Sequence, residues 1–117
     1  INSGLLSGMS RTQSDEKYPD FYIEKMEIDQ HYPEGESPRE FYERIIQAFV
    51  KLQQSINEDE NVALITHGGV IMALFHQLED LDWIHDRKYI KVEKCSISTV
   101  AHEKGGWKLI NKNYYDY

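Results

Sequence analysis

Thr66-His67-Gly68-Gly69 is the stretch of this chain best equipped for chemistry. An imidazole next to two glycines can hydrogen-bond an anion. Free N–H groups at the start of a helix add donors and the positive end of the helix dipole. The glycines let the backbone come close to a ligand and adopt conformations that other residues resist. The anion best suited to such a turn is a phosphate. A histidine here could instead do no more than cap the next helix or satisfy a buried carbonyl. Its place between an apolar run and an apolar helix favours function.

Those flanks must position the ring. Val62-Ala63-Leu64-Ile65 is a continuous apolar run, too short for an ordinary helix. It predicts a strand buried on both faces, as in a parallel sheet. Val70 to Phe75 follows with good helix formers. His67 then lies at the carboxyl end of a strand, where open α/β sheets bind ligands. The fold class expected is α/β.

Glu36 and Ser37 form a second group of interest. Ser37-Pro38-Arg39-Glu40 places a hydroxyl at the N-cap, proline at the first helical position and a carboxylate at the third. Phe41, Ile45, Phe49, Leu52 and Ile56 recur at helical spacing, so a helix is expected from Pro38 to about Ile56, with that stripe in the core. If its N-terminus faces the His67 crevice, Glu36 could orient a basic ligand-binding residue. The competing reading for both residues is helix capping.

Other chemistries are less well supported. The five histidines, His31, His67, His76, His85 and His102, show no compact ligand spacing, and Cys95 is the only cysteine. No metal or other cofactor is expected. No serine sits in a nucleophile-elbow context. Cys95 reads as strand filler rather than a nucleophile, and a lone thiol fits a reducing, cytoplasmic setting. With 117 residues the chain suits one domain, and its net charge of -7 argues against nucleic acid or an anionic membrane as partner. The expected ligand is phosphate or a phosphorylated small molecule.

Elsewhere, Ser10 with Gln13 predicts a capping box and a short helix ending before Pro19. Tyr18 to Asp29 suits a further short helix or an irregular surface segment, and residues 32–35 suit a turn. Asn57 to Glu60 is an acidic loop. Lys88 to Val92 predicts a short strand. Ser96–His102 and Trp107–Asn111 predict a hairpin around Glu103-Lys104-Gly105-Gly106. Tyr114, Tyr115 and Tyr117 form an aromatic tail.

Taken together, Gly35-Glu36-Ser37 opening a long helix and Thr66-His67-Gly68-Gly69 closing a strand resemble the histidine phosphatase superfamily, which includes cofactor-dependent phosphoglycerate mutases. The loop Gly4-Leu5-Leu6-Ser7-Gly8-Met9-Ser10 is similar to a glycine-containing loop near that family's active site. The resemblance implies a three-layer α/β/α domain. It also implies phosphomonoester hydrolysis or mutase transfer through a phosphohistidine. His67 would be the second, phosphate-binding histidine, Gly68 N–H would assist it, and Glu36 and Ser37 would line the pocket. The family's Arg-His-Gly nucleophile motif occurs nowhere in the chain. Its second arginine motif is also missing, and its proton-donating glutamate would fall just before Ile1. The expectation is therefore a single truncated domain over residues 1–117, the C-terminal two-thirds, with its N-terminal strands missing and catalysis deficient. The alternative is a non-catalytic phosphate-binding or oligomerising module, a homo-oligomer joined through an exposed sheet edge.

Overall fold

Two of the helices begin where the local sequence supplies a capping box. In the computed structural model, which describes residues 1–116, a 3-10 turn at Gly4–Leu6 leads to α1 (Arg11–Lys17). Ser10 and Gln13 exchange side-chain and main-chain bonds across a complete capping box. Residues 18–36 follow as irregular turns. Then come α2 (Pro38–Ser55), α3 (Gly68–Leu78), β1 (Ile97–Glu103) and β2 (Gly106–Tyr114). The long helix thus matches its expected span, with Ile56 as its C-cap. The aromatic residue Tyr117 lies outside the described residues.

The core forms where α2 and α3 meet. Phe41 and Ile45 from α2 pack with Met72, Ala73 and Leu74 from α3. Trp83, 1% exposed, closes that cluster from the connection after α3. Its ring stacks on Tyr42 at 5.0 Å and meets the edge of His76 at 5.2 Å. The indole N–H donates to the Pro38 carbonyl at 3.2 Å, near the start of α2. His76 is fully buried and its Nε2 bonds the Lys88 carbonyl at 2.8 Å. A carbonyl only accepts, so Nε2 is the protonated nitrogen of this ring. Arg87 extends the same connection to the other flank, donating Nε to the Ile23 carbonyl at 3.0 Å and Nη2 to that of Met26.

At the other end of the chain the hairpin forms as expected, with Glu103 opposite Gly106 and a two-residue turn at Lys104-Gly105. Gly105 and Gly106 have φ of +96° and +115°, which only glycine adopts readily. Lys112 Nζ reaches Glu79 at 2.7 Å and ties β2 to the end of α3. Among the described residues, no helix is long and apolar enough to cross a membrane.

Three expectations about local structure need correction. Residues 62–65 run towards α3 without joining a strand, and they are not buried: Val62 and Leu64 are about half exposed and Ile65 is 97% exposed. A strand is defined by its neighbours, and among the described residues none lies alongside this segment. The sheet seen is a two-stranded antiparallel one, within a mixed α/β fold. Residues 88–92 also form no strand. They are held instead by the Asn113 side chain, which donates to the Lys91 carbonyl and accepts from Glu93 N–H. Cys95 lies in the turn before β1 with φ +57°, rather than in a strand.

Candidate functional site

His67 occupies the N-cap of α3 with extended backbone, φ -79° and ψ 152°. Apolar residues 62–65 before it and Val70 to Phe75 after it leave the ring at the junction. Its side chain makes no capping bond, and the residue is exposed. Its carbonyl accepts from Val70 N–H at 3.0 Å and Ile71 N–H at 3.2 Å. Gly68 and Gly69 N–H, ahead of these, have no acceptor among the described residues. A free imidazole and two free amides therefore stand at the positive end of one helix.

The glycines serve this arrangement differently from the expectation. Both lie in ordinary helical backbone. A Cβ at Gly68 would come no closer than 3.8 Å to Val92, and one at Gly69 would be 3.8 Å from Phe41. Neither position demands glycine for strain or space. What the missing side chains provide is open access to the two amides.

Glu36 and Ser37 lie at the start of α2. Ser37 is 1% exposed, and its hydroxyl accepts Glu40 N–H at 3.2 Å while its own N–H donates to Glu40 Oε2 at 3.0 Å. The hydroxyl is thus spent on capping. Glu36 does more. Oε1 accepts Asn2 N–H at 2.6 Å and Arg44 Nη2 at 2.8 Å, and Oε2 accepts Arg44 Nε at 3.2 Å. Burial pushes its carboxyl upward, but the Arg44 bond and the Asn2 amide outweigh this and hold it below the usual range.

The carboxylate therefore fastens residues 2–5 to the turn before α2. Leu5 N–H bonds the Pro33 carbonyl and Glu36 N–H bonds the Asn2 carbonyl, each at 2.9 Å. This approach does require glycine. A Cβ at Gly4, where φ is +55°, would lie 2.0 Å from the Pro33 carbonyl oxygen. The basic residue expected near Glu36 is Arg44, two turns along α2, and sequence patterning did not single it out.

Arg44 also borders an open groove of about 240 Å³ between α2 and α3, with Phe49, Leu64, Thr66, Val70 and Leu74 among its walls. His67, Gly68, Glu36 and Ser37 do not line it. The structure thus pairs His67 with Gly68, and Glu36 with Arg44 and Asn2. Arg44, which bonds Glu36, and Thr66, the neighbour of His67 in the chain, both line that groove.

The remaining histidines have separate surroundings. His31 Nε2 meets Glu40 at 3.0 Å, His85 Nδ1 meets Asp82 at 2.8 Å, and His102 lies against Trp107. Among the described residues, no three His, Cys, Asp or Glu side chains gather to hold a metal ion. A family model for the histidine phosphatase superfamily (branch 1) matches residues 1–114. No curated protein matches the chain significantly.

Proposed function

Because the chain belongs to the histidine phosphatase superfamily, we propose that His67 and the Gly68 amide hold the phosphoryl group of a phosphomonoester during phosphoryl transfer. The observation carrying this reading is the free, exposed ring of His67 beside two unbonded amides at the start of α3. Phosphoryl transfer depends on positioning and on stabilising charge spread over the equatorial oxygens. An imidazole N–H and helix-end amides can bond those oxygens without moving as the charge develops. Loss of one such donor costs on the order of 10²–10³ in rate.

The reaction this reading assigns is hydrolysis or mutase transfer through a phosphohistidine. A second imidazole attacks phosphorus, the phosphorus–oxygen bond to the leaving group breaks, and that oxygen takes a proton from an acid. His67 binds the transferring group and takes no part in that bond. Glu36 borders the site by holding Arg44 and the 2–5 loop, and Ser37 supports it by fixing the start of α2. Residues 61–66 are read as an inner strand of a three-layer α/β/α sheet.

One observation favours a second reading. Arg-His-Gly is absent from all 117 residues, so this chain does not bring the nucleophile motif. As it stands it is a phosphate-binding module with little or no turnover, since nucleophile and general acid each supply about 10²-fold or more.

Titration with orthophosphate, followed by the imidazole NMR signals, tests both readings. His67 should shift on binding while the buried His76 signal stays fixed, and His67→Ala should weaken binding roughly tenfold, about 1.4 kcal/mol. Phosphate binding that ignores His67→Ala would refute the site. Turnover of p-nitrophenyl phosphate by the unmodified chain, abolished by the same substitution, would refute the binding-only reading.

A further inference from the structure

A second cavity, of about 320 Å³, opens between α1 and the turns that follow it, and it shares no lining residue with the α2/α3 groove. Its size is at the small end for ligand pockets, roughly 300–1,000 Å³. Arg11, Asp15 and Tyr18 recur at helical spacing along α1 and its cap, so one helix face supplies all three. Asp20, with φ +74°, turns the chain, and Phe21, Tyr22, Glu24 and Tyr32 line the same space. Neighbouring elements hold these walls in place. Arg87 donates to the Ile23 and Met26 carbonyls, and Leu5 N–H bonds the Pro33 carbonyl beside Tyr32.

Aromatic rings supply the chemistry of this cavity. The Phe21 ring lies 6.2 Å from Tyr18, nearly perpendicular to it, and 6.0 Å from Tyr32. Ring faces are negative and attract cations. Tyr22 already shows that contact within the molecule. The Arg11 guanidinium carbon lies 4.4 Å from its ring centroid, and Lys25 Nζ lies 5.4 Å from it. Tyr18, Phe21 and Tyr32 carry no cation among the described residues.

Charge decides the sign of the ligand. Of the charged residues lining the cavity, Arg11 and Asp15 pair with each other at 3.5 Å. The Glu24 carboxylate has no ion pair or hydrogen bond among the described residues. Arg87 feels its charge but donates to main-chain carbonyls instead. Burial, and then the Glu24 charge, raise the Tyr32 phenol above its usual range, so the free carboxylate acts on the aromatic wall. An anion would be repelled here. A metal ion would find one uncommitted carboxylate, and among the described residues no three His, Cys, Asp or Glu gather. An alkylated ammonium ion needs only ring faces and one counter-charge.

We infer that the cavity between α1 and residues 21–32 binds a small alkylated ammonium ion, seated on the rings of Tyr18, Phe21 and Tyr32 with Glu24 as its counter-ion. This goes beyond the phosphate reading and does not rest on it, because neither His67 nor Gly68 lines the cavity.

Choline and its uncharged analogue, in which a carbon atom replaces the nitrogen, give the test. Titration of the full chain with choline should shift the ring NMR signals of Tyr18, Phe21 and Tyr32. The analogue has the same shape and should bind roughly threefold to tenfold more weakly. Glu24→Gln, at an exposed position, should keep the melting temperature, weaken choline binding roughly threefold or more and leave the analogue unaffected. Phe21→Leu keeps an apolar side chain but removes a ring face, and it should weaken choline binding to a similar degree. Equal affinity for choline and the analogue would overturn the cation preference. Choline affinity unchanged in both variants, or no ring shift with choline in large excess, would overturn the site. A His67 response to orthophosphate without choline binding would sink this inference alone. Choline binding without any response to orthophosphate would sink the proposed function alone.

Discussion

Replacing Glu36 with glutamine probes the junction on which the first forty residues depend. The carboxylate is 13% exposed and accepts Asn2 N–H and two Arg44 N–H groups. Glutamine keeps one acceptor but turns an NH₂ towards another donor. The Arg44 side chain is 58% exposed, so its pair with Glu36 is discounted to near the surface value, about 0.5–1 kcal/mol. The bond from Asn2 N–H adds about 0.5–1 kcal/mol. The substitution should therefore cost about 1–2 kcal/mol at neutral pH.

The pH dependence has a definite sign. The folded carboxyl sits below the usual range, so its contribution is present above the unfolded value of about 4.3 and is lost as pH falls through the folded value. Urea unfolding of wild type and Glu36→Gln should differ most near pH 7, and the gap should close as the solution is acidified below about pH 4.3. Hydrogen exchange supplies the local readout. The Leu5 and Glu36 amides, bonded between residues 2–5 and the turn before α2, should lose protection while the α3 amides keep theirs. Equal stability at pH 7, or a gap that widens on acidification, would refute the assigned role of the carboxylate.

Two further perturbations separate positions that look alike in sequence. Gly4→Ala should destabilise strongly, because its Cβ would meet the Pro33 carbonyl at a positive φ, whereas Gly68→Ala should be neutral or stabilise by up to about 1 kcal/mol; thermal unfolding of both distinguishes them. Trp83→Ala should cost about 3–5 kcal/mol in urea unfolding, since it empties the space between Tyr42, Phe41 and His76, while Trp83→Phe should recover most of that loss.

What the sequence determined by itself is what neighbours along the chain can settle. Ser10 with Gln13 and Ser37 with Glu40 close their boxes across three residues, and α2 needs only its own stripe to declare its length. The hairpin likewise needs only its glycine turn and flanking alternation. His67 was visible for the same reason: an apolar run, a polar break and an apolar helix adjoin in the chain, and the ring stands where that junction puts it.

Tertiary structure decided everything that depends on residues far apart. The composition of residues 62–65 predicts burial, yet burial requires neighbours, and with no strand alongside them among the described residues Ile65 faces solvent. The union of Glu36 with Asn2 crosses 34 residues, and that of Trp83 with Pro38 crosses 45. No periodicity encodes either. A pattern can say that a side chain would prefer to be covered or paired; only the folded chain determines which group comes within reach.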